Sequence, residues 1–77
     1  MAKIVKITKN ESGVSQRNGI VNVECLFEKG YLENGQPCVI LKTYNPNSIN
    51  KGVSQILHIN KDIAKRLIDI FKEELDV

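Results

Sequence analysis

Between Ile20 and Glu28 the chain alternates, with Val21, Val23, Cys25 and Phe27 on one side and Asn22, Glu24 and Glu28 on the other. That period of two belongs to a half-buried strand. A looser alternation from Lys3 to Lys9, carrying Ile4, Val5 and Ile7, predicts a strand before it. Two more apolar stretches, about 37–44 and about 53–59, complete a set of four strands at about 3–9, 20–28, 37–44 and 53–59. In the last of these, Val53, Leu57 and Ile59 are expected inward and Ser54, Ile56 and His58 outward. After Asn60 the period changes. Ile63, Ala64, Leu67, Ile68, Phe71 and Leu75 recur at spacings of three and four, with Ile70 widening the stripe. The pattern predicts one amphipathic helix over about 61–75, with Asn60 as its N-cap.

The polar stretches 10–19 and 45–52 read as loops. Glu33-Asn34-Gly35-Gln36 is the strongest turn signal, because Asn-Gly tolerates the positive φ of a type I′ hairpin turn. A plain two-residue turn would set Phe27 opposite Lys42 and mix the faces. A one-residue bulge near Gly30 instead aligns Phe27 with Leu41 and Cys25 with Thr43, separating apolar from polar. The expected fold class is α+β: a four-stranded antiparallel sheet in the order β-β-β-β-α, closed on one face by the C-terminal helix, as a single domain over residues 1–77. One helix covers one face. The other, expected to carry Ile20, Leu26, Ile40 and Ile56 beside Lys42 and Tyr44, is left for a second copy or a ligand.

Composition adds limits. Apolar residues are 42% of the 77, enriched in Ile and Val, which suits a small packed domain and not a disordered chain. The longest apolar run is Cys38 to Leu41, far short of a membrane span. The first residues lack the apolar core of a signal peptide, so a cytoplasmic location is expected. The net charge of +2 divides unevenly: residues 1–60 carry +3 and residues 61–77 carry −1. A basic body suits an anionic partner.

Catalytic chemistry has no foothold. Phosphate-binding glycine loops, nucleophile elbows and paired metal-binding histidines are all missing from the sequence. Cys25 and Cys38 do not form a disulfide framework, and with His58 they offer three soft ligands where a structural zinc needs four. The expectation is no enzyme, no metal or other cofactor, and no small-molecule substrate.

The stretch from Val39 to Ser54 reads Val-Ile-Leu-Lys-Thr-Tyr-Asn-Pro-Asn-Ser-Ile-Asn-Lys-Gly-Val-Ser. It resembles the single-stranded-DNA-binding transcriptional coactivator family known as positive cofactor four, in its short bacterial members. The shared features are a basic residue two positions before an aromatic, here Lys42 and Tyr44, then a polar Pro-containing loop, then Lys51-Gly52-Val53-Ser54 opening the last strand. About 16 residues match closely, and the chain departs in having Lys for the frequent Arg, no Trp, and a longer last strand. Lysine gives up the planar stacking and bidentate phosphate contact of arginine. The resemblance implies four strands and a helix, a homodimer with helices in its contact, and binding of single strands.

Binding a single strand without sequence preference takes a cationic track and aromatic platforms. The candidates are Lys42, Tyr44 and Lys51, extended by Lys3, Lys6, Lys9 and Arg17 on the first strand and loop, with Tyr31 as a second platform. The expected partner is single-stranded DNA or RNA, bound by a homodimer away from any membrane. The competing reading is a small protein-interaction module, a phage- or plasmid-type inhibitor or subunit, using the aliphatic residues of the uncovered face.

Overall fold

A computed structural model of the chain describes residues 1–11, 18–20, 22–47 and 53–77, with backbone alone at Val53 and Ser54. Arg17 and Lys51 lie outside the described residues. The elements are β1 (Ala2–Lys3), β2 (Glu24–Tyr31), β3 (Pro37–Tyr44), β4 (Val53–Ile59) and α1 (Lys61–Leu75), and the four strands form one sheet in the order β1-β4-β3-β2. The class is α+β with one C-terminal helix. β2, β3 and β4 form an antiparallel meander, but β1 runs parallel to β4, so the sheet is mixed and not antiparallel throughout.

The expected first strand, 3–9, shrinks to two residues for a topological reason. Because β1 runs the same way as β4, its continuation passes the point where β4 gives way to the helix and finds no strand to pair with. The Ile4 amide makes one last bond to the His58 carbonyl, 3.1 Å. Ile4 and Ile7 stay half-buried beyond it, and Lys9 reaches Glu74 near the far end of the helix. The second strand begins at Glu24 and not at 20, and ends at Tyr31, so Ile20 lies outside the sheet.

The β2–β3 ladder pairs Phe27 with Leu41 and Cys25 with Thr43, the register that separates the two faces. The extra residue that makes it possible sits elsewhere than expected. Pairing runs without a break through Gly30 and Cys38, and the bulge is in the turn. The Gly35 amide bonds the Leu32 carbonyl and the Leu32 amide bonds the Gln36 carbonyl, both 2.8 Å, with Gly35 at φ +83°. This is the three-residue loop closed by a left-handed residue, in place of a two-residue type I′ turn. Gly30 serves packing: a Cβ there would come 2.5 Å from Ile40 Cδ1, so Ile40 folds over the bare backbone.

The helix matches its predicted bounds. Asn60 Oδ1 accepts the Ile63 amide at 2.8 Å, satisfying one of the unpaired first-turn donors. The helix does not, however, close a face of the sheet. It approaches the strands closely at few points, and among the described residues only Cys38, Ile59 and Ile63 are buried.

The turn and the cap carry separable predictions. Gly35→Ala meets no steric obstacle, so its cost is the left-handed backbone alone, about 1–2 kcal/mol, while Gly35→Asn keeps most of the stability. Asn60→Ala costs about 1 kcal/mol through the lost cap. Urea denaturation checks all three.

Candidate nucleic-acid interface

Strand alternation and register sort the side chains onto two faces. One carries Glu24, Leu26 and Glu28 from β2, Ile40, Lys42 and Tyr44 from β3, Ile56 and His58 from β4, and Lys3 from β1; we call it the lysine face. The other carries Cys25, Phe27 and Lys29, then Val39, Leu41 and Thr43, then Gln55, Leu57 and Ile59; we call it the phenylalanine face. Lys42 and Tyr44 therefore share a face, two residues and roughly 7 Å apart along one strand. Leu26, Ile40 and Ile56 join them as the sequence pattern anticipates. The face is open to solvent at its β2 edge, where Leu26 is 55% exposed.

Neither candidate group is idle. The Tyr44 hydroxyl donates to Glu24 Oε1 at 2.8 Å across the directly paired position. Lys42 forms an ion pair with Glu28, which lies diagonally across the ladder. The hydrogen bond to Glu24 raises the Tyr44 phenol above its ordinary value of 10.0, with some loss of hydration and the carboxylate's charge acting the same way. Both glutamates were legible in the sequence as a pair sharing one strand face. Their effect on Lys42 and Tyr44 was not, because it depends on cross-strand register. The result is a preorganised row, aromatic then cation, whose polar tips are held by carboxylates that an incoming anion must displace.

The remaining candidates are scattered. Lys9 Nζ lies 3.4 Å from Glu74 Oε1, beside the helix and away from the lysine face, and Lys6 is exposed on the same segment beyond β1. They do not extend a track along a first strand. Tyr31 belongs by register to the phenylalanine row, with the Lys29 ammonium 5.8 Å from its ring centroid. It also lines an open depression of about 470 Å³ with Met1, Lys3, Glu33 and His58. Lys3, grouped in the sequence with Lys6, Lys9 and Arg17, pairs with His58 and is the second cation of the lysine face. Cys25 is exposed and Cys38 buried, both as free thiols. Among the described residues no three His, Cys, Asp or Glu side chains converge as a metal would need, and no helix is long and apolar enough to cross a membrane.

Compared with protein-family models, curated proteins and solved structures, the chain matches none. The residues must speak for themselves.

The Glu24–Tyr44 contact is testable by titration. In a Tyr31→Phe background Tyr44 is the only tyrosine, and Glu24→Ala is expected to lower its ionisation midpoint toward 10.0, followed by tyrosinate absorbance. An unchanged midpoint means the bond does not form in solution.

Proposed function

We propose that this chain is a single-stranded nucleic-acid-binding module of the positive cofactor four type, working as a cytoplasmic homodimer in transcription or DNA maintenance. The observation that carries the reading is the adjacency of Lys42 and Tyr44 on an open sheet face. A base stacked on Tyr44 places its phosphate within reach of Lys42, and the aliphatic neighbours Leu26, Ile40 and Ile56 provide a dry floor for the sugar and base edges. Each stacked base contributes roughly 1–3 kcal/mol. The Val39 to Ser54 resemblance points the same way.

Glu24 and Glu28 set the terms of binding. With Lys3 and Lys42 they leave the face near neutral, so a phosphate competes with Glu28 for Lys42. Affinity is therefore modest, with a shallow salt slope of about 0.7 per phosphate contact. The same pairing favours a second reading, a protein-interaction module, because a neutral face with three aliphatic residues also suits a polypeptide.

Fluorescence anisotropy with a labelled single strand of about 20 nucleotides, at several salt concentrations, separates them. Nucleic-acid binding predicts a log–log salt slope that loses about 0.7 in Lys42→Ala, the share of one phosphate contact. Tyr44→Ala loses roughly 1–3 kcal/mol, and Glu28→Gln binds more tightly than the parent chain. No binding at low salt, even in Glu28→Gln, leaves the protein-interaction reading.

A further inference from the structure

At the β1 side of the lysine face lies a depression that the Lys42–Tyr44 row does not use. Its volume is about 470 Å³, and residues 1–3, 31–34 and 58 line it. Sites for small organic ligands have volumes of about 300–1,000 Å³. Three parts of the chain meet there, because β4 lies between β1 and the β2–β3 hairpin. β1 supplies Lys3, β4 supplies His58, and the turn supplies Glu33 and Asn34.

Lys3 and His58 are directly paired, so their side chains leave the sheet on one side at the roughly 4.8 Å spacing of neighbouring strands. Lys42 is tied to Glu28 and Lys9 to Glu74. The side chains of Lys3 and His58 have no hydrogen-bond or ion-pair partner among the described residues. An anion displaces nothing here, whereas at Lys42 it competes with Glu28. Two uncommitted donors side by side suit a phosphate. They suit a phosphate monoester, with close to two negative charges, better than the singly charged diester inside a strand.

The rest of the lining suits a nucleoside. Tyr31 is 68% exposed and offers a ring for stacking. Asn34 Oδ1 already accepts the Gln36 amide at 3.1 Å, so its amide nitrogen is the end left to donate. The Glu33 carboxylate accepts from a sugar hydroxyl or an exocyclic amine. As the one carboxylate side chain in the lining it also repels a second phosphate, which selects a single phosphate over a linked run of them. Lys3 lies two strands across and two residues along from Lys42. That is roughly 12 Å, a span one bound strand can bridge.

We propose that this depression binds the terminal nucleotide of a single strand through its phosphate monoester, with Lys3 and His58 holding the phosphate and Tyr31 the base. This rests on the strand-binding reading of the lysine face and adds to it a preference for a phosphorylated end.

Fluorescence anisotropy with internally labelled strands of about 20 nucleotides, differing only in a hydroxyl, 5′-monophosphate or 3′-monophosphate end, tests it. One phosphorylated strand binds at least about tenfold more tightly than the hydroxyl-ended one, as a charge-assisted contact provides. Which of the two does so gives the polarity of the bound strand. Lys3→Ala and His58→Gln each abolish that ratio, whereas Lys42→Ala weakens all three strands and leaves the ratio standing. A merely structural role would weaken all strands alike. A free nucleoside monophosphate at millimolar concentration is expected to shift the amides of Lys3, Asn34 and His58. Equal affinities for the three strands, a ratio that survives Lys3→Ala, or no shift with the mononucleotide overturns the site and leaves strand binding at Lys42 and Tyr44 standing. Failure of every strand to bind, with the mononucleotide shifts present, keeps the site and overturns the strand-binding reading.

Discussion

The three-residue turn closed by Gly35 fixes the β2–β3 register, and everything on the sheet follows from that register. A strand has a period of two, so a slip of one residue would exchange its two faces outright. With the extra residue held in the turn, Glu24 meets Tyr44, Leu26 meets Lys42, and Phe27 falls on the opposite side with Leu41. The ion pair at Lys42 and the hydrogen bond at Tyr44 both depend on that alignment. So does the segregation of one mixed, near-neutral face from one that is mostly apolar.

That segregation produces an unusual division of labour for a chain of 77 residues. A small domain normally spends its helix on its sheet, since at this size little else can make a core. Here three residues are buried among those described, and the helix turns part of its apolar stripe outward. Hydrophobic burial is roughly proportional to the apolar area removed from water. By leaving Phe27, Ile68, Phe71 and Leu75 exposed, the single chain forgoes part of that gain. Acidic groups at a helix C-terminus oppose the macrodipole, and Lys9 beside Glu74 offsets part of that cost.

Much of this was legible from the sequence. β3, β4 and the helix follow their patterns because Pro37, the alternation through Tyr44, Asn60 and the three-and-four spacing are local signals. The register was legible as well, since only one alignment separates apolar from polar. Its cause was assigned to Gly30 when the responsible residue is Gly35, because both glycines satisfy the same count. The first strand failed for a non-local reason: Ile4, Val5 and Ile7 alternate acceptably, but a strand parallel to β4 outruns its only neighbour. The inward face of β2 failed similarly. Phe27 reads as a core residue, and within one chain it is not. At the candidate site the sequence placed Lys42 and Tyr44 together and could not show that Glu28 and Glu24 hold them, while Lys6 and Lys9 were grouped with them by charge alone.

The proposed function says that the lysine face, and not the phenylalanine face, takes an anionic single strand. Amide chemical-shift mapping during titration with a single-stranded oligonucleotide tests this most directly. The account predicts shifts confined to the rows of Leu26, Ile40, Lys42, Tyr44 and Ile56, with Phe27, Ile68 and Phe71 unmoved. Shifts centred on the helix stripe and Phe27, or none on the lysine face at low salt, would contradict it.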